Sequence, residues 1–216
     1  MFEEKMEDFE TLLARSVQHH GHLCSGQVIG VRMAMLGCRL IGIDDPYKDI
    51  KKIIVFVEID RCASDTIAVV TGCKLGRRSL KFVDNGIMAA SFLNLETGRA
   101  FRISATERSR DLAKRYAPHI KSIRERQLHA YRIMPTSELF KIEEVKIDLQ
   151  RLDMPGPTQR KAVCIQCGET VRDGREIIRD GKVYCRPCAG DAYFLPQRIC
   201  EIESEWDTLS AVSETK

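Results

Sequence analysis

Apolar positions recur along this chain at two different periods, and the switches between them divide it into elements. Phe2, Met6, Phe9, Leu12, Leu13 and Val17 fall at helical spacing, so an amphipathic helix is expected over residues 3–18, with its acids near the N-terminal end. A His-rich loop ends it. Ser25 then opens a second helical pattern through Val28, Ile29, Val31, Met35 and Leu36, with Gly37 as the expected stop. Gly26 and Gly30 lie four apart, on one helix face, where another backbone or a ligand can approach closely.

The period then changes. Ile53 to Ile59 is a continuous β-branched run, the mark of a strand buried on both faces, and Ala63 to Thr71 follows as a short helix stopped by Gly72. Leu80 to Val83, Ile87 to Leu93 and Ala100 to Ser104, separated by turns at Asp84-Asn85-Gly86 and Glu96-Thr97-Gly98, predict a β-meander. Residues 106–131 read as charged helix interrupted near Pro118, and Phe140 to Leu149 as an extended segment after the Pro135 break. Strands grouped between helices without a repeating βαβ period predict an α+β domain whose mixed or antiparallel sheet is flanked by helices.

Met154-Pro155-Gly156-Pro157 reads as a stiff linker, which gives a core domain over 1–153, a second domain over 154–200 and an acidic tail over 201–216. Within the second domain, Cys164, Cys167, Cys185 and Cys188 form two C-x-x-C pairs separated by 17 residues. That spacing fits one tetrahedral zinc ion held by four thiolates, and Gly168 suits the first knuckle. Glu176 to Ile178 and Lys182 to Tyr184 flank Arg179-Asp180-Gly181, a hairpin signal, and Cys188 to Phe194 reads as the start of a helix. Knuckle, hairpin and helix in that order predict a treble-clef zinc finger, serving structure or docking a protein partner.

Composition sets limits on the rest. With 44% hydrophobic and 30% charged residues the chain is globular, and no apolar stretch approaches the ~20 residues needed to span a bilayer. Nine cysteines without a secretory leader point to free thiols and metal ligands in the cytoplasm rather than a disulfide framework. From Arg99 to Arg132 there are ten Lys or Arg against three acids. Few aromatics are interleaved for base stacking, so a solvated helical face is favoured over a nucleic-acid surface.

A second constellation lies in the core domain. His20, His22 and Cys24 alternate with Gly21 and Leu23, so an extended loop points all three donors one way, just before a helix N-terminus. Imidazole and thiolate suit zinc, nickel, copper or iron, and Cys62 or Cys73 is the expected fourth donor to this second transition metal. Asp65 shares a helix with Cys62 at i+3, placed to orient a ligand or act as a base, so Cys24, Cys62 and Asp65 are the catalytic candidates. Cys38 is expected in the core. The phosphate-binding loop, the nucleophile elbow and the H-E-x-x-H helix are all missing from the sequence.

Three blocks in order, His20-Gly21-His22-Leu23-Cys24-Ser25-Gly26-Gln27 with Gly30-Val31-Arg32, then Asp60-Arg61-Cys62-Ala63-Ser64-Asp65, then Thr71-Gly72-Cys73-Lys74-Leu75-Gly76, resemble the FmdE family, which takes its name from formylmethanofuran dehydrogenase. The resemblance covers about residues 15–150, and the tail resembles the auxiliary zinc finger that some members append. Ser25 departs from the proline expected there in many relatives. The resemblance implies an α+β core with a His/Cys pocket able to hold a metal. It also implies a homodimer, for which the apolar face of residues 2–17 is a candidate contact. A further implication is a link to one-carbon, methanogenesis-type, or molybdenum/tungsten metabolism, as an accessory protein or small metalloenzyme. The competing readings are a zinc-finger regulator that contacts nucleic acid or polymerase and carries a metal- or ligand-sensing core, and a thiol redox pair of Cys24 with Cys62 or Cys73.

Overall fold

A computed structural model describes residues 6–197 and separates the chain into two compact units, Met1–Pro157 and Thr158–Lys216. The acidic tail at 201–216 and residues 1–5 lie outside the described residues.

Helix α1 (Phe9–His20) starts where Asp8 caps it, the carboxylate accepting from the Glu10 and Thr11 N–H groups at 3.0 and 3.1 Å. It therefore begins later than apolar spacing predicts, because the cap and not the first apolar residue sets the boundary. Gly21, at φ 94°, ends it in the left-handed conformation. Leu12 and Leu13 are buried, and Phe9 and Val17 pack beside them while staying partly exposed.

Helix α2 (Ser25–Leu40) runs straight through Gly37, contrary to the expected stop. Gly37 serves packing instead, since a Cβ there would stand 2.4 Å from the buried Phe92 ring. Strand β1 (Ile53–Val57), helix α3 (Cys62–Thr71) and strand β2 (Leu80–Phe82) form a crossover that leaves β2 parallel to β1. Strands β3 (Ala89–Asn94), β4 (Ala100–Ala105) and β5 (Phe140–Glu144) are antiparallel, giving the order β2-β1-β3-β4-β5. The expected meander is thus corrected at its first turn, where β1 lies between β2 and β3. Residues 83–89 wrap around the end of β1 instead of turning tightly, and the Asn85 and Ile87 N–H groups both donate to the Glu58 carbonyl.

Helices α4 (Arg108–Tyr116) and α5 (Ile123–Ile133) are the two halves of the interrupted charged segment, and a single turn, α6 (Thr136–Leu139), leads into β5. One main core lies between helices and sheet, and a smaller cluster of Ile54, Leu93 and Ala100 forms under Val145, Ile147 and Leu149 on the opposite face.

The second unit contains two hairpins, β6 (Lys161–Val163) with β7 (Thr170–Arg172) and β8 (Ile177–Arg179) with β9 (Lys182–Tyr184). Asp180 and Gly181 turn the second with positive φ at both positions, 49° and 71°, as an Asp-Gly type I′ turn requires. The helix expected from Cys188 does not form among the described residues; positions 186–190 are turn and 191–197 carry no helix. No helix of the described residues is long and apolar enough to cross a membrane.

Candidate metal centres

Two helix ends meet at the core centre. His20 is the last residue of α1, Gly21 reverses the chain, and Cys24 is the extended N-cap of α2 at φ −142° and ψ 166°. Against this loop comes the first turn of α3, beginning at Cys62. Contact this close needs the α2 glycines. A Cβ on Gly30 would stand 2.8 Å from Thr66 Cβ and 2.9 Å from the Ala63 carbonyl, and one on Gly26 would stand 3.3 Å from Cys62 Cβ and 3.6 Å from Cys24 Sγ. Ser16 of α1 and Thr66 of α3 share a buried 2.8 Å hydrogen bond that fixes the third side of the junction.

The donor atoms of His20, His22 and Cys24 all lie within 4.8 Å of one another, and the two imidazole rings are 4.8 Å apart between centroids. His20 Nδ1 is 3.0 Å from Asp65 Oδ2, and since a carboxylate accepts, Nδ1 carries a proton; in the neutral ring the lone pair then lies on Nε2. That Nε2 is buried and has no hydrogen-bond partner. A buried imidazole nitrogen without a hydrogen-bond partner costs free energy and fits a metal ligand. Burial first, then the adjacent Cys24 thiol, raises the Cys62 thiol above the ordinary cysteine range, so the pair resists carrying two negative charges unless a cation is present. Soft sulfur and two imidazoles form a donor set suited to zinc, nickel, copper or iron.

The loop also has a support. Arg124 of α5 donates through Nη2 to the Leu23 carbonyl at 3.0 Å, a contact across 101 residues that no sequence pattern announces. Cys73, by contrast, is not at this site. It follows Gly72 at the far end of α3, about 16 Å away at 1.5 Å per helical residue. Cys73 is fully buried near Ile53 O and Cys38, where burial raises both thiols, that of Cys38 to about 12. Strand β1 emerges at one end of α3 and β2 enters from the other, so Cys62 and Cys73 are held apart by the crossover itself.

In the second unit, Cys164, Cys167, Cys185 and Cys188 also gather within 4.8 Å. Gly168, at φ 77°, closes the first knuckle by donating to the Cys164 carbonyl at 3.0 Å, and Ala189 does the same for Cys185 at 3.0 Å. Backbone N–H groups of Cys167 and then Cys185 aim at the Cys164 sulfur and lower it to about 6, whereas the Cys185 thiol raises Cys188. Four crowded sulfurs of this kind ionise together only around a divalent cation, and they fit a closed tetrahedral zinc site.

The basic stretch from Arg99 to Arg132 is largely engaged inside the molecule. Arg102 pairs with Glu58 and Glu143, Arg115 with Glu138 and Arg132 with Glu10, while Arg126 donates to the Ile120 and Lys121 carbonyls.

Known proteins resemble this chain in both regions. The family model "FmdE, Molybdenum formylmethanofuran dehydrogenase operon" matches residues 19–141, and the "Prokaryotic dksA/traR C4-type zinc finger" matches residues 156–194. A "Probable S-adenosyl-L-methionine-binding protein" of Archaeoglobus fulgidus is 27% identical over 208 residues, covering 84% of this chain. The chain spans about half, 53%, of that relative's length. The crystal structure of a tungsten formylmethanofuran dehydrogenase FmdE-like protein from Syntrophus aciditrophicus superposes with a TM-score of 0.57 at 18% identity, covering 90% of this chain and 100% of that one. The fold is therefore shared. With the His/Cys loop and the α3 turn inside a family match that takes in more than half of its residues, this chain belongs to the FmdE family and carries a C4-type zinc finger after the core in sequence.

Proposed function

We propose that this chain is a metal-binding accessory protein or small metalloenzyme that binds a transition metal through His20, His22 and Cys24, with Cys62 as fourth donor. The observation that carries the reading is the buried, unpartnered His20 Nε2, set in a three-donor cluster and backed by Asp65. With all four donors bound the site would be closed and structural; with Cys62 off the metal, the open position would let the ion act as a Lewis acid. Asp65 holds the His20 tautomer, and Arg124 holds the loop through the Leu23 carbonyl. The link to one-carbon or molybdenum/tungsten metabolism rests on the names of the family and of the Syntrophus protein. A cytoplasmic homodimer is part of the same reading. Its support is the family resemblance; of the apolar face of α1, Leu12 and Leu13 are buried within the chain and Phe9 is only partly covered.

The test is metal content of the intact protein, with cobalt(II) absorption as a second readout. Two metals per chain are expected for the wild type and one for His22→Ala/Cys24→Ala, with the fold unchanged, because loop ligands contribute little to the core. Unchanged stoichiometry and spectra in the double variant would overturn the reading. S-adenosylmethionine, taken from the name of the Archaeoglobus relative, belongs in the same titration as an added ligand.

A further inference from the structure

A groove of about 600 Å³ opens between α1, α2 and α5. Its size falls within the range of sites for small organic ligands. Along α2, Arg32 and Arg39 lie about 12 and about 22 Å from Cys24, at 1.5 Å per helical residue, and no donor of the His/Cys centre lines the groove. Among the described residues, three arginines line this groove, Arg32, Arg39 and Arg132, against the single acid Asp44. Phe9, Met35 and Leu36 supply an apolar wall beside them.

Arg32 is the unusual member. Its Nη1 donates to the Tyr131 and Met134 carbonyls at 2.7 and 2.6 Å, and Nη2 reaches Thr136 Oγ1 at 3.4 Å. The guanidinium is thereby held in one orientation, yet no carboxylate among the described residues pairs with it. Burial lowers it below the usual arginine range, and no ion pair among the described residues offsets that cost. Arg39 is exposed and has no ion pair among the described residues. Arg132 is ordered by Glu10 and by stacking on Phe9, 5.8 Å from its ring centroid. A fixed and uncompensated guanidinium at the wall of an apolar cleft matches a planar or tetrahedral oxyanion, which it can meet through two parallel N–H donors.

We propose that this groove binds a small amphiphilic anion, a carboxylate or phosphate head joined to a hydrocarbon body, with Arg32 and Arg39 on the head and Phe9, Met35 and Leu36 on the body. The inference does not depend on the metal reading, because no donor of that centre lines the groove.

Calorimetry on the full chain, zinc-loaded, provides the test, with octyl phosphate, octanoate, octanol and inorganic phosphate as probes. At least one octyl anion is expected to bind at least about tenfold more tightly than octanol and than inorganic phosphate, and which of the two binds better identifies the head group. Arg39→Gln should weaken that anion about tenfold without changing the thermal midpoint, and Arg32→Gln should weaken it further. If Arg32→Gln fails to fold, Arg39→Gln and the wall variant Met35→Glu decide. No binding of either anion, equal affinity for octanol, or undiminished affinity in the folded arginine variants would overturn the proposal.

Discussion

Single side chains decide the chemistry of the core centre. Asp65 contributes no metal bond in the proposed arrangement; it fixes the ring proton of His20 through the 3.0 Å contact at Nδ1. Asp65→Asn is therefore expected to reduce core metal affinity about 10- to 100-fold while leaving stability nearly unchanged, since the carboxylate is 58% exposed. Cobalt titration against circular dichroism checks both parts. A different acid carries the pH dependence of folding. Glu58, at the end of β1, is buried and accepts from Arg102 Nε and Nη2 at 2.7 and 2.8 Å and from Asn85 Nδ2 at 3.0 Å. The Arg102 hydrogen bonds first, and Asn85 after them, hold its carboxyl below the ordinary glutamate range against the opposing effect of burial. The folded state then binds this proton less readily than the unfolded chain. Its contribution is in place above the unfolded value of about 4.3 and is lost as pH falls through the lower folded value. Acid titration of urea midpoints should show that loss in the wild type, and Arg102→Ala should remove it. The same variant should cost about 3 kcal/mol at neutral pH, the low end for breaking a buried pair, because the Arg102 side chain keeps a quarter of its exposure.

Elements meet here through absent atoms as much as through present ones. Helices α2 and α3 pack at backbone distance because Gly30 presents no Cβ to Ala63 and Thr66. Gly30→Ala is expected to destabilise the core by about 2 kcal/mol, the usual cost of overpacking, with equilibrium denaturation as the measure. Metal affinity should fall with it, because the same contact brings Cys62 to Cys24. Gly26→Ala meets only ordinary or slightly tight contacts and should cost less. The spacing of Gly26 and Gly30 was legible in the sequence, and so was the helical period around them. The role of Gly37 was not. A glycine near the end of an apolar helical pattern reads as a C-terminal stop, whereas here it accommodates Phe92, a residue 55 positions later that only the sheet brings into place.

At the scale of the whole molecule, the two units depend on different forces. The core unit has a continuous buried cluster, whereas the described finger buries only Cys164, Cys185, Ala189 and Asp173. So small a set cannot fold a segment of this length without its ion. Chelation of the full chain should raise hydrogen exchange throughout 158–197 and leave the core strands protected, and Cys185→Ser should do the same without chelator. The four-cysteine centre was readable from the sequence because its ligands come from two tight knuckles whose spacing is local. His20, His22 and Cys24 were readable for the same reason, being neighbours on one loop. What only the tertiary structure decided was which distant groups lie beside them. It brought Cys62 and Asp65 to the loop and sent Cys73 to the other end of α3, because a crossover helix separates its two ends by its own length. It also inserted β1 between β2 and β3 and seated Arg124 on the Leu23 carbonyl. Hydrophobic period and turn chemistry fix the local path of a chain, but strand order and long-range contacts depend on how separate apolar faces come together to be buried, and a one-dimensional pattern does not specify that pairing.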